Sequence, residues 1–200
     1  MMNFSINRFR SIILSALLFS GSVLANDYTV WLGTPDLPTE LNNKQVEEVV
    51  NVLKKADITD NVIVNINSLG GYNYLGDDVI NAIKHSNATV TTRCIDQCLS
   101  NGAFILMAGD DIRIQYGALI MFHISQIPCE QGRCAAGREY VKKYPQFKPD
   151  FDKDVALFKM LDLHKILLPS EWEQLLNGRN VWLTQLQMRD RMNRYFNSKR

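Results

Sequence analysis

Residues 61–84 read NVIVNINSLGGYNYLGDDVINAIK, and this stretch decides the fold class. The run from Asn61 to Ile66 is short and apolar, as is typical of a buried strand. Paired glycines, Gly70 and Gly71, follow it and predict a turn. Apolar residues then recur at three- and four-residue spacing, which predicts an amphipathic helix: Leu75, Val79, Ile80 and Ile83. The stretch is therefore a strand–turn–helix unit.

The same alternation continues on both sides of this unit. We predict strands at residues 28–32, 89–92, 112–114 and 119–122, and helices at residues 43–56 and 100–108. Strands alternating with helices predict βαβ units and a largely parallel sheet. From about Glu139 the pattern is mainly helical, with one last short strand near Trp182. Two pairs match capping boxes: Ser170 with Glu173, and Thr184 with Gln187.

Composition gives a class of protein and no function. The chain has 200 residues, 46% hydrophobic and 22% charged, which fits one ordinary globular domain. Its formal net charge is +1. This near balance argues against a nucleic-acid binder, which normally carries a basic excess on one face.

Residues 1–25 have the features of a cleavable signal peptide. Arg8 and Arg10 supply a positive start, an apolar run extends from Ile12 to Leu24, and small residues at Val23 and Ala25 suit signal peptidase. The apolar run is shorter than the roughly 20 residues of a membrane-spanning helix, so a retained anchor is the less favoured alternative. We expect a mature domain of residues 26–200 in the periplasm or outside the cell.

Export changes the interpretation of the four cysteines. They form two close pairs, Cys94 with Cys98 and Cys129 with Cys134, and an even number in an oxidising compartment favours disulfides. Zinc binding is the weaker alternative because neither spacing is C-x-x-C. Sequence leaves three connectivities open, with a slight preference for local pairing.

Three loops at predicted strand ends carry residues suited to chemistry, where open α/β sheets build their sites. Gly71 and its neighbour can present backbone N–H groups to a ligand, although a plain turn explains them equally well. Ser100 stands at a helix N-terminus, where the dipole favours a developing oxyanion; a simple N-cap is the structural alternative. His123 follows an apolar strand, and a single histidine in that position is more often structural than a base.

Taken together, these segments resemble the proteolytic subunit of Clp protease and its relatives. The resemblance covers Ile63 to His123 and is carried by INSLGG at residues 66–71, QCLSNGAF at 97–104, AG at 108–109 and MFH at 121–123. Leu69 stands where the family usually has proline. The resemblance implies an α/β fold of the Clp-protease/crotonase type, with stacked ββα units, a mainly parallel sheet and a helical C-terminal part.

The resemblance also implies roles for individual residues. Ser100 matches the nucleophile, and His123 matches the base that takes its proton and returns it to the leaving amine. The backbone N–H groups of Gly71 and Asn101 match the oxyanion hole. The implied activity is that of a serine peptidase acting on peptides or unfolded protein segments, with no cofactor and no metal ion.

The third catalytic position departs from the family. Asn180 stands where the family has aspartate, before the predicted last strand. An Asn carbonyl can orient the histidine but cannot stabilise imidazolium with a full charge. Slow hydrolysis is therefore expected, unless a carboxylate comes from elsewhere: Asp150, Asp152 or Asp154.

Two further departures bear on partners. The segment between His123 and Asn180, which carries the family's intersubunit helix, holds Cys129 and Cys134, and a helix at residues 184–196 replaces the family's closing strand. An exported enzyme also has no cytosolic ATP. We expect an ATP-independent protein with no ATPase partner and no nucleic acid, and a homo-oligomer other than the family's two-ring assembly.

Three other interpretations stay open. A lysine base, Lys142 or Lys143, could serve Ser100 as in exported signal-peptide peptidases, although exposed lysine is the default. A peptide-binding protein that lost efficient chemistry would keep the fold and the groove. A crotonase-like enzyme acting on acyl-CoA is the least favoured, because CoA is not expected outside the cytoplasm.

Overall fold

The computed structural model describes residues 25–130 and 132–198. The predicted signal peptide, residues 1–25, lies outside this part of the chain except for Ala25. Within the described ranges, no helix is both long and apolar enough to cross a bilayer.

The described residues form nine strands and eight α-helices. The strands are β1 Asp27–Gly33, β2 Thr39–Glu40, β3 Asn61–Gly70, β4 Thr89–Leu99, β5 Asp111–Ile114, β6 Leu119–Phe122, β7 Gln126–Cys129, β8 Gly132–Ala135 and β9 Val181–Thr184. The helices are α1 Asn43–Lys55, α2 Asn73–Lys84, α3 Asn101–Leu106, α4 Arg138–Lys143, α5 Lys148–Met160, α6 Leu163–Ile166, α7 Pro169–Leu176 and α8 Gln185–Asn197.

The main sheet has the order β1-β3-β4-β6-β9. The pairs β1–β3, β3–β4 and β4–β6 are parallel, and β9 runs antiparallel to β6. β2 pairs with β3, and β5 pairs with β4 beside the start of that strand. Because β3, β4 and β6 run in one direction, the residues that follow them meet at one edge of the sheet.

The central strand β3 is buried on both faces. Val62, Val64 and Ile66 are fully buried, and Asn65 and Asn67 on the opposite face are nearly so. Helices cover the sheet as expected for a parallel arrangement. α1 contributes the apolar stripe Val46, Val49 and Leu53, so the predicted mixed α/β fold with a mainly parallel sheet is confirmed.

The C-terminal part is mainly helical, as predicted. The Thr184–Gln187 capping box is confirmed: the Gln187 N–H donates to Thr184 Oγ1 at 3.3 Å, and Gln187 Oε1 accepts from the Thr184 N–H at 2.9 Å. The Ser170–Glu173 box is wrong. α7 begins at Pro169, so Ser170 lies inside the helix, and Glu171 Oε2 accepts the Leu168 N–H at 2.7 Å instead.

Asp60 fixes the start of the sheet. Its Oδ2 accepts the Asp57 N–H at 2.8 Å, and its Oδ1 accepts the Asn26 N–H at 2.8 Å. These hydrogen bonds, the one from Asp57 first, lower the pKa of Asp60 below its ordinary value. The carboxylate thereby ties the residue preceding β1 to the loop preceding β3.

This arrangement predicts an acid-side loss of stability. Because the pKa is lower in the folded than in the unfolded chain, the unfolded chain takes up the proton first as pH falls. The contribution of Asp60 is present above its ordinary pKa of about 3.9 and is lost as pH falls through the lowered value. We expect Asp60→Asn to unfold more readily at pH 7 and to lose less free energy of unfolding below pH about 4. Urea titrations at pH values from 7 to below about 4 test this prediction. Asp36→Asn, at an exposed position, is the control. If the free energy of unfolding fell with pH equally steeply in wild type and Asp60→Asn, the prediction would be contradicted.

Candidate active site

The loop after β3 approaches the end of β4 closely. Gly70 has φ +97°, and a Cβ placed on it would lie 2.6 Å from Ser100 Cβ. The Gly70 carbonyl accepts the Leu41 N–H at 2.7 Å. In a trans peptide the C=O and the following N–H point in opposite directions, so the Gly71 N–H points away from Leu41.

Asn101 fixes the next peptide of the same loop. Its side-chain Nδ2 donates to the carbonyls of Gly71 at 2.9 Å and Tyr72 at 3.0 Å. The side chain fits because Gly76 of α2 has no Cβ; one placed there would lie 2.6 Å from Asn101 Cγ. The backbone N–H of Asn101 belongs to the first turn of α3, whose N–H groups have no partner within the helix. Gly71 and Asn101, both predicted from the sequence, therefore lie in one tightly joined loop pair.

Ser100 links β4 to α3 in an unusual backbone conformation. Its φ is 55° and its ψ is −123°, which is rare for a residue with a side chain. Its N–H donates to the Met121 carbonyl at 2.9 Å, and its carbonyl accepts the N–H groups of Ala103 and Phe104. A strained serine on a sharp strand-to-helix turn is the arrangement that exposes a nucleophilic hydroxyl in α/β hydrolases. Strain of this kind is concentrated at functional sites.

His123 follows β6 and lines the same cavity as Ser100. Its Nδ1 lies 2.6 Å from the Ile124 carbonyl oxygen. Because a carbonyl can only accept, Nδ1 carries the hydrogen, and in the neutral ring the lone pair is then on Nε2. This is the tautomer that a general base needs.

The cavity that joins these residues is small. Its volume is about 20 Å³, close to the space that one water molecule requires. The walls come from α2, α3, α5 and the segment after β6: Asn73, Asp77, Ser100, Asn101, Phe104, His123, Ser125, Lys153, Asp154 and Leu157. The described residues also form a larger cleft of about 770 Å³ between α1 and α2, which lies away from Ser100 and His123.

Two carboxylates line this cavity: Asp77, which is paired with Lys153, and the buried Asp154. Asp154 is 7% exposed; its Oδ2 accepts the Ser125 N–H at 2.6 Å, and its Oδ1 accepts the Ser125 hydroxyl at 2.8 Å. Burial raises the pKa of Asp154, although the hydrogen bonds from Ser125 and the charge of His123 act in the opposite direction. Asp150 and Asp152 are exposed, and Asp152 pairs with Lys148.

Asn180 occupies a different place. It directly precedes β9 and is exposed, and the pairing of Phe122 with Val181 brings its backbone alongside the residue after β6. Among residues 25–130 and 132–198, the cavity is lined by Asp154 and not by Asn180. The sequence had a signal for Asp154: it lies four residues before the buried Phe158, on the inner stripe of α5.

The lysines proposed as an alternative base lie elsewhere. Lys142 is exposed and pairs with Glu139 at 2.6 Å, and Lys143 lies 5.2 Å from the ring centroid of Tyr144. The cavity is lined instead by Lys153, whose Nζ lies 2.7 Å from Asp77 Oδ2. The hydrogen bond to Asp77 raises the pKa of Lys153, which keeps it protonated and unsuited to act as a base.

Both local cysteine pairs are disulfides, Cys94–Cys98 and Cys129–Cys134. The slight preference for local pairing is confirmed. The first bridge is fully buried in β4, where Cys94 pairs with Ile66 and Cys98 with Ser68. Three residues of β4 thus face one residue of β3, and the bridge closes this bulge just before Ser100. The second bridge closes the β7–β8 hairpin, which the sequence did not predict.

Comparison with known proteins agrees with this geometry. The sequence model of the Clp protease family matches residues 21–133, which is more than half of the chain. The chain is also 29% identical over 89 residues to the ATP-dependent Clp protease proteolytic subunit of Deinococcus radiodurans. That alignment covers 44% of this chain and 43% of the relative, so the chain matches less than half of the relative's length. The family match includes Gly71, Ser100 and His123, and it ends before Asp154 and Asn180.

Proposed function

The chain belongs to the Clp protease family, and from this premise we propose that it is an exported, ATP-independent serine peptidase acting on peptides or unfolded protein segments. The observation that carries the proposal is the strained backbone of Ser100, φ 55°, at the turn from β4 to α3 beside His123. A serine that served only as a helix cap would not need this conformation.

The proposed chemistry follows from the tautomer of His123, with the hydrogen on Nδ1. Nε2 takes the proton of Ser100 Oγ as the oxygen attacks the substrate carbonyl, and the C–N bond then breaks as Nε2 returns the proton to the leaving amine. The N–H groups of Gly71 and Asn101 stabilise the oxyanion, and each such donor is typically worth about 10²–10³ in rate. A water molecule then hydrolyses the acyl-enzyme by the same proton path.

The small cavity sets a condition on substrate entry. A space of about 20 Å³ holds no peptide side chain. A substrate side chain could enter it only if α5 and the start of α2 moved apart, which would separate Lys153 from Asp77. We expect low turnover for this reason.

The two disulfides support an oxidising compartment, in keeping with the predicted signal peptide at residues 1–25. The Deinococcus relative is named as ATP-dependent, and no ATP supply exists outside the cytoplasm. We propose that this chain works without an ATPase partner and that it assembles as a homo-oligomer.

A peptide-binding protein without efficient catalysis is the second candidate. The small volume of the cavity and the exposed Asn180 favour it. Such a protein would bind peptides and leave Ser100 unreactive.

Covalent labelling separates the two candidates. We expect a fluorophosphonate probe to label the oxidised protein, beginning at Asn26, on Ser100. Labelling should disappear in Ser100→Ala and slow by about 10³-fold or more in His123→Ala, because the base is lost. The exposed residues Ser170 and His85 provide matched controls: Ser170→Ala and His85→Ala should label like wild type.

Two results would count against the peptidase. A folded, oxidised wild type that takes up no probe would favour the binding protein. Undiminished labelling in His123→Ala, together with its loss in Lys153→Ala, would indicate a lysine base.

A further inference from the structure

One peptide group, between Ile124 and Ser125, is held by hydrogen bonds at both ends. At one end its carbonyl oxygen lies 2.6 Å from His123 Nδ1. At the other end its N–H donates to Asp154 Oδ2 at 2.6 Å. Because the C=O and the N–H of a trans peptide point in opposite directions, the imidazole and the carboxylate lie on opposite sides of one planar group.

The order of donors and acceptors in this chain is fixed. An ionised carboxylate only accepts, so Asp154 takes the Ser125 N–H, and the Ile124 carbonyl takes the hydrogen of His123 Nδ1. Hydrogen bonds in a row polarise one another, and one with an ionised partner is stronger than a neutral one. The carboxylate therefore makes the Ile124 carbonyl a better acceptor for His123.

A second pair of bonds holds the carboxylate in place. The Ser125 hydroxyl donates to Asp154 Oδ1 at 2.8 Å and accepts from Asn73 Nδ2 at 2.7 Å. Both carboxylate oxygens of Asp154 therefore accept hydrogen bonds from Ser125, and Asp154 is only 7% exposed. Asn73 begins α2, so this network also joins the oxyanion loop to α5.

We propose that Asp154 is the acidic positioning residue of His123, acting through the Ile124–Ser125 peptide rather than by direct contact with the imidazole. The proposal rests on the proposed function, and it assigns to this carboxylate the part that the exposed Asn180 was expected to play. It fixes the tautomer of His123 and places a negative charge where imidazolium forms.

The ionisable groups around Asp154 come from three segments. His123 faces it from the end of β6, Asp150 and Lys153 lie on its own helix α5, and Asp77 of α2 is bound to Lys153. The Lys153–Asp77 pair is internally neutralised. Asp154 is therefore the acid whose charge interacts with His123, and hydrogen bonds join the two through the Ile124–Ser125 peptide.

The first test is Asp154→Asn, compared over the pH range by probe labelling and by NMR titration of His123. We expect labelling to slow by about 10–100-fold, the loss typical when the hydrogen-bond partner of a metal-binding histidine is removed. Removing the charge disfavours imidazolium, so the pKa of His123 and the acid limb of the labelling profile should both move to lower pH. Asp152→Asn removes an exposed charge from the same helix and should change neither.

The second test begins with an NMR measurement on wild type, which does not depend on the folding of Asp154→Asn. In wild type, the nitrogen shifts of the neutral His123 ring should show the hydrogen on Nδ1. Ser125→Ala keeps the backbone N–H and loses the hydroxyl, so its labelling should slow less than that of Asp154→Asn.

Several outcomes would overturn the inference. A neutral ring with its hydrogen on Nε2, or an unchanged pKa of His123 in Asp154→Asn, would exclude the link from Asp154 through the peptide to His123. This holds even for a protein that no probe labels. A larger loss of labelling in Asn180→Ala than in Asp154→Asn would return the orienting role to Asn180. If wild type showed the expected NMR behaviour but no labelling, the peptidase proposal would be refuted, and the proposed link between Asp154 and His123 would be retained.

Discussion

Gly70→Ala is expected to slow probe labelling of Ser100 by at least about 10²–10³-fold, the loss associated with one oxyanion donor. An added Cβ would lie 2.6 Å from Ser100 Cβ and 3.0 Å from its Oγ. The Cβ and Oγ of Ser100 can make room only if the paired loops shift, and these loops hold both Ser100 and the Gly71 N–H. The substitution should therefore displace the reacting oxygen from its donors.

Gly117→Ala is the matched control for backbone strain. Gly117 also has a positive φ, +86°, but an added Cβ there would meet nothing within 4 Å. Both variants lose about 1–2 kcal/mol of stability from the disfavoured conformation. Only Gly70→Ala should lose labelling, and labelling of that variant at the wild-type rate would contradict the close approach of the two loops.

Phe158→Ala is expected to lower the free energy of unfolding by about 3–5 kcal/mol. Phe158 is fully buried on α5 and contacts two aromatic rings, Phe104 at 5.1 Å and Trp172 at 6.4 Å between centroids. Truncation leaves a cavity between α5 and α3, the helix that begins next to Ser100. Urea unfolding of the oxidised protein measures the loss.

The neighbouring Met160 supplies the control for this prediction. It lies on the same helix and is 51% exposed. Met160→Ala should change the free energy of unfolding by less than about 0.5 kcal/mol, as is usual for surface positions. A loss below about 1 kcal/mol in Phe158→Ala would show that α5 contributes little to the core.

The central part of the fold could be predicted from the sequence because its signals are local. β3 and α2 follow from apolar runs and helical periodicity within residues 61–84, and the β4–Ser100–α3 turn lies within one short motif. β4 was predicted only to residue 92, although it extends to Leu99. Its second half contains the bulge closed by Cys94 and Cys98, and a bulge breaks the regular pattern on which strand prediction depends.

The carboxylate that lines the cavity beside His123 could not be predicted in the same way. Asn180 was inferred from its place in a motif, whereas Asp154 reaches the site because α5 folds back over the end of β6. That approach depends on tertiary packing around Phe158, which no short stretch of sequence encodes. The hairpin of β7 and β8 was missed for a related reason: each strand has only four residues and contains Pro128 or Gly132.

The bond between the Asn26 nitrogen and Asp60 would give cleavage of the predicted signal peptide a physical effect on folding. In the uncut chain this nitrogen is a neutral amide that donates to the carboxylate at 2.8 Å. Cleavage after Ala25, as the sequence predicts, would convert it into an ammonium group with an ordinary pKa of about 7.7–8.0. A neutral hydrogen bond would become an ion pair at the edge of β1. Processing would then strengthen the attachment of the first strand only after the chain had left the cytoplasm.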